Sequence, residues 1–79
     1  MPKIHVEYFA ILREHAGKRA EDLDTQAVTA ADLFKELEAR HGFPAMGGMK
    51  VAINDEFSEM EVALADGDAV VFIPPVAGG

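Results

Sequence analysis

The sequence predicts an α+β fold, a mixed β-sheet crossed by one main helix and followed by a flexible C-terminal tail. Three observations predict it. In "KIHVEYF" the apolar Ile4, Val6 and Tyr8 alternate with Lys3, His5 and Glu7, the period-two pattern of a strand with one covered face. "TAADLFKELEARHG" carries an apolar stripe at helical spacing between a capping residue and a glycine stop. "AVVFI", residues 69–73, is apolar without alternation, as a strand in the middle of a sheet requires. A chain of 79 residues supports one domain, with room for one sheet and one good helix.

After the first strand, "AILREHAGK" (10–18) holds helix formers up to Gly17, so a short helical turn is expected, with His15 near its C-terminal dipole. In "RAEDLDTQAV", Leu23 among acidic neighbours fits an exposed second strand paired to the first. The main helix is capped by Thr29 with Asp32 three residues on, a capping box with Asp in place of the usual Glu, and Gly42 stops it. Ala30, Leu33, Phe34 and Leu37, with the stem of Arg40, form the face that must lie on the sheet. "FPAMGGMK" (43–50) is expected to be a flexible loop, "VAIN" a short buried strand and Asn54-Asp55 a turn. "EMEVAL" (59–64) reads as a further strand approach in which Met60, Val62 and Leu64 alternate, and "ADGD" (65–68) as a turn. Pro74-Pro75 ends the last ladder. A final strand beside the first and parallel to it, with the helix across one face, is the β-grasp or ubiquitin-like arrangement. Residues 1–73 are expected to form that domain and 74–79 a tail ending in Gly-Gly.

Composition narrows the function. The chain is 49% hydrophobic and 27% charged, a globular balance. "MPKIHVEYF" lacks the apolar core of a signal peptide and nothing approaches a transmembrane run, so a cytoplasmic location with no membrane partner is expected. Fourteen acidic against seven basic residues give a net charge of -7, which disfavours nucleic acid and anionic lipid and suits a basic protein partner. The absence of cysteine removes disulfides, zinc-thiolate sites and a thiol nucleophile together. His5, His15 and His41 lack metal-ligand spacing and read as solvated or helix-end side chains; Asp66-Gly67-Asp68 reads as a turn, and Ser58 has no base at recognisable spacing. No resident metal or cofactor is expected.

Two glycine pairs remain, Gly47-Gly48 and Gly78-Gly79. The first reads as part of the loop. The second follows a proline pair that stiffens its base as polyproline II, and the six residues 74–79 reach about 20 Å. Glycine lacks Cβ, so such a tip threads a channel too narrow for a side chain. The Gly79 carboxylate, ionised at neutral pH, can attack the α-phosphate of ATP. The acyl adenylate has AMP as its leaving group, and a sulfur donor converts it to a thiocarboxylate. A chain without cysteine thereby carries nucleophilic sulfur.

"YFAILRE" (8–14), "DGDAVVFIPPVAGG" (66–79) and the lengths between them resemble the small subunit of molybdopterin synthase over essentially the whole chain. The resemblance implies that a ubiquitin-activating-like adenylyltransferase consumes ATP to adenylate Gly79, with Gly78 in the inserting tail, and that a sulfur relay makes the thiocarboxylate. It implies a heterotetramer of two small and two large subunits. In the large subunit the tail delivers sulfur to cyclic pyranopterin monophosphate, building the dithiolene that holds molybdenum or tungsten. Catalytic side chains are then expected on the large subunit. Phe9, Arg13, Phe57 and Ile73, with Pro74 and Pro75 at the root of the tail, fall on positions that meet the partner. A sulfur carrier for thiazole synthesis is the alternative in the same superfamily; a ubiquitin-like protein modifier and a plain interaction module are the others.

Overall fold

Alternation along the first strand decides which side of the sheet is covered. The computed structural model describes residues 2–44 and 48–75. In it Ile4, Val6 and Tyr8 are fully buried on β1 (Lys3–Tyr8), and their neighbours Lys3, His5 and Glu7 face the other way. The remaining elements follow as α1 (Ile11–Ala16), β2 (Ala20–Asp24), α2 (Ala30–His41), β3 (Lys50–Ile53), β4 (Glu56–Ser58) and β5 (Ala69–Ile73). Among the described residues the five strands form one mixed sheet in the order β2-β1-β5-β3-β4. As the unbroken apolar run requires, β5 is central, parallel to β1 and antiparallel to β3. The domain is a ubiquitin-like β-grasp.

Helix α2 covers one face because its stripe is wide enough to do so: Ala30, Leu33, Phe34 and Leu37 are buried, and the Phe34 ring lies 5.1 Å from that of Phe72 on β5. Its ends follow their sequence signals. Thr29 Oγ1 accepts from the Asp32 amide at 3.2 Å, the Asp32 carboxylate accepts from the Thr29 amide at 3.3 Å, and Gly42 turns left-handed at φ 71°. Gly17 closes α1 in the same way at φ 73°. The hairpin between β3 and β4 places both Asn54 and Asp55 at positive φ, the demand of a tight two-residue turn.

Two expectations need correction. The strand after the Asn54-Asp55 turn is Glu56–Ser58, and "EMEVAL" is not a strand. Met60, Val62 and Leu64 do pack against the core, as their alternation implies, but their backbone serves the helix. The carbonyls of Met60 and Val62 accept the Ala31 and Ala30 amides at 2.8 and 3.0 Å, two of the donors that a helix N-terminus leaves without partners. The segment 43–50 is likewise more than a flexible loop. Phe43 is buried, stacked 5.8 Å from Phe34, and Met49 packs on the core; residues 45–47, with Gly47, lie outside the described residues. Among the described residues no helix is long and apolar enough to cross a membrane.

Candidate functional site: the open sheet face and the root of the tail

A strand that is apolar on both sides predicts cover on both sides, and β5 receives it on one. Val70 and Phe72 are buried under α2, whereas Ala69, Val71 and Ile73 are half-buried on the face that the helix leaves open. Register places their neighbours. Ala20, Glu7, Val71, Ala52 and Phe57 form one row across the sheet, and Ile73 pairs with Lys50 in the next. An apolar patch of Val71, Ala52, Phe57 and Ile73 therefore lies on the open face beside the strand that runs into the tail, with the exposed Glu7 at its β1 side.

The sequence-predicted partner residues gather at this end. Phe57 on β4 is 77% exposed, and Phe9, just beyond β1, is 44% exposed; both lie outside the core. Phe9 lines a cleft of about 360 Å³ together with Glu7, Tyr8, Arg13, Arg19 and Ala20. Arg13 enters that cleft from α1, which is held down by the buried Leu12, and its Nε donates to the Tyr8 carbonyl at 3.3 Å. Ile73 ends β5, and Pro74 and the exposed Pro75 follow it. Gly48, at φ 73°, lies against this root: a Cβ there would stand 3.7 Å from Cβ of Pro75. Gly78 and Gly79 lie outside the described residues.

Sequence reasoning missed Lys50, Val71 and Ala52 as members of this face, because membership depends on strand register, and it missed Arg19, which lines the Phe9 cleft from just before β2. It also missed a polar cluster beneath the sheet's β2 edge. Glu21, 13% exposed, accepts from the Tyr8 hydroxyl and lies 2.8 Å from Nε2 of His41, with Lys18 Nζ at 3.5 Å. Burial would raise the Glu21 pKa, but the bonds from Tyr8 and His41 and the charge of Lys18 hold it below the ordinary carboxylate value. Burial, then the Glu21 carboxylate, pushes the Tyr8 hydroxyl upward. His41 is thus a helix-end residue as expected, but it is not solvated. The aspartates of the 65–68 turn use their oxygens on the fold. Asp66 accepts the Lys3 amide at 2.7 Å, and Asp68 accepts from the Ala65 amide and the Asn54 side chain at 2.8 and 3.0 Å.

Comparison with known proteins places this geometry. Residues 6–79 match the model of the ThiS family. The human molybdopterin synthase sulfur carrier subunit is 33% identical, over 98% of this chain and 94% of its own length. Subunit 1 of a putative molybdopterin converting factor from Pyrococcus furiosus superposes with a TM-score of 0.79 at 29% identity, covering 96% of this chain and all of that one. The small archaeal modifier protein 1 of Haloferax volcanii superposes at 0.78 with 25% identity, over 96% of this chain and 100% of its own.

Proposed function

The chain belongs to the ThiS family, and from that premise we propose that it is the sulfur-carrier subunit of a molybdopterin synthase. The observation that carries the reading is the likeness to the human sulfur carrier subunit, 33% identity over nearly all of both chains. In this reading the Gly79 carboxylate attacks the α-phosphorus of ATP on a ubiquitin-activating-like adenylyltransferase, pyrophosphate leaves, and a sulfur donor displaces AMP. The resulting thiocarboxylate enters the large subunit, where its sulfur bonds to cyclic pyranopterin monophosphate and water cleaves the acyl–sulfur bond, leaving the sulfur on the pterin and an ordinary carboxylate on Gly79. Each carrier delivers one of the two dithiolene sulfurs. The carrier supplies no catalytic side chain of its own. Two small subunits flank a dimer of large ones.

The parts described above have plain tasks in this scheme. β5 is hydrogen-bonded on both sides, to β1 and β3, so the root of the tail is held by the most enclosed strand of the sheet. Proline has no N–H, so Pro74 and Pro75 end the ladder and release the chain as a stiff stalk. The open face with Phe9, Ile73 and Phe57 docks the carrier while the tail is inserted.

The test is the intact mass of the protein isolated from its own cells, with and without an active adenylyltransferase. A gain equal to the replacement of one oxygen by sulfur at Gly79, dependent on that enzyme, is the expected result. An unmodified terminus in every condition overturns the reading. The likeness to the small archaeal modifier protein 1 favours a second reading, in which the same adenylate yields an isopeptide bond to a lysine. No Lys or Arg follows Lys50, so trypsin would leave residues 51–79 as the branch on a target lysine. Recovery of that branched peptide supports the modifier reading.

A further inference from the structure

The net charge of -7 is distributed along the strands with a polarity that the total conceals. At the end where β1 begins and β2 ends stand Asp22, Asp24, Asp55, Glu56, Asp66 and Asp68, with Lys3 as the cation among them. At the opposite end, where β5 leaves the sheet, stand Arg13, Arg19 and Lys50. Arg13 and Arg19 line the Phe9 cleft, and Lys50 pairs with Ile73 on the open face. None of these three has a carboxylate within ion-pair distance among the described residues, which Lys3 and Lys35 share, whereas Lys18 and Arg40 are bound to Glu21 and Glu36; what sets the three apart is that they stand together at one end. Carboxylates also stand at this end: Glu7, which lines the cleft and sits 3.8 Å from His5, Glu14, which follows Arg13 on α1, and Glu59, which lines a hollow with Lys50 and Phe57.

We propose that this end of the open sheet face docks an acidic segment of a protein partner, Arg13, Arg19 and Lys50 receiving its carboxylates while Phe9 and Ile73 seat its apolar side chains. Span decides the kind of ligand. From β2, which Arg19 precedes, to β3, which Lys50 begins, are three strand spacings, about 14 Å. One phosphate or carboxylate cannot bridge that width, but successive side chains of an extended peptide can. Between the cations lie the half-buried Val71, Ala52 and Ile73, which a purely ionic ligand cannot fill, and the exposed Glu7 on β1, which an acidic segment must pass with an apolar or neutral side chain; the aspartates at the far end repel a nucleic-acid backbone. The expectation of a basic partner drawn from net charge alone is thereby replaced, at this surface, by an acidic one. The partner's identity rests on the function proposed above; the chemistry of its segment does not.

The test compares Arg13→Gln/Arg19→Gln, alone and with Lys50→Gln, against Lys3→Gln/Lys35→Gln, which removes two charges elsewhere and so controls for net charge. Affinity of the full-length proteins for a molybdopterin synthase large subunit is measured by calorimetry. Amide shifts are followed during titration with a synthetic peptide of alternating glutamate and leucine. About tenfold weaker binding of the large subunit by the arginine pair, and not by the control pair, is expected. Equal affinity of both pairs overturns the docking surface and leaves the sulfur-carrier reading intact. A large subunit that fails to bind the unmodified chain overturns that reading instead. The peptide then decides the surface: shifts confined to Phe9, Arg13, Arg19, Lys50 and Ile73 support it, and absent or scattered shifts overturn it. Self-association of the unmodified chain that the arginine pair abolishes identifies the occupant as a second copy and also overturns the proposal.

Discussion

Glu21 shows how much one side chain can do that its sequence context does not announce. In "RAEDLD" it is one acid among three, on an edge strand. In the fold it joins three elements, accepting from Tyr8 of β1 and contacting His41 at the end of α2 and Lys18 before β2. Its pKa is depressed in the folded state, so the sign is fixed: its contribution to stability is fully present above the unfolded value of about 4.3 and is lost as pH falls through the folded value. Glu21→Gln should destabilise the protein near neutral pH by up to about 1.5 to 3 kcal/mol, the range for a hydrogen bond to a charged group. Denaturant midpoints of the two proteins should converge as pH is lowered below 4.3. A gap that stays constant with pH would show that the charge of Glu21 contributes nothing. No one-dimensional pattern pairs residues 8, 21 and 41, since their meeting depends on the antiparallel register of β1 with β2 and on where α2 ends.

At the scale of elements, local signals were legible wherever the backbone chemistry is local. Thr29 with Asp32, Gly17, Gly42 and Asn54-Asp55 sit where capping and turn rules place them, and the buried stripe of α2 is the one its spacing predicts except at Arg40, whose side chain is exposed and reaches Glu21 and Glu36 instead of lying on the sheet. The alternation of Met60, Val62 and Leu64 misled because period two reports which side chains turn inward, not what the backbone bonds to; here it bonds to the start of α2. The strand that does exist, β4, is three residues long and carries Phe57 on its open side, too short for any pattern to emerge. Phe57 and Phe72 therefore make a pair of opposites within one sheet. Phe57→Ala should leave the denaturant midpoint nearly unchanged and weaken binding to a large subunit by about 1 to 3 kcal/mol. Phe72→Ala, which opens a cavity against Phe34, should cost about 3 to 5 kcal/mol of folding free energy, a large share of what a domain of this size has. Loss of stability in Phe57→Ala with undiminished affinity would remove β4 from the docking face.

At the scale of the whole molecule the sheet has two unlike sides and two unlike ends, and neither asymmetry is visible in composition. One side is closed by α2 and the other is open; one end is acidic, and the end that delivers the tail gathers Arg13, Arg19 and Lys50. The diglycine rests on the sequence alone, read from residue type and position, because Gly78 and Gly79 lie outside the described residues. In the proposed reading, folding stability and the sulfur chemistry fall on separate parts of the chain. Among the described residues, every buried residue of the core stands at or before Phe72, and the strand ladder ends at Ile73. Removing Gly79, which has no side chain to bury and follows the last ladder residue by six positions, should therefore leave the thermal midpoint unchanged. The same deletion moves the terminal carboxylate back by one residue, about 3.3 to 3.6 Å, which exceeds the precision of roughly 0.5 Å that positioned chemistry requires. Pyrophosphate release by the adenylyltransferase with ATP should fall to background for the truncated carrier, while its affinity for that enzyme, set by the folded domain, should change little. Normal adenylation of the truncated chain would mean that Gly79 is not the working residue, and a lowered thermal midpoint would mean that the tail is part of the fold it was taken to leave.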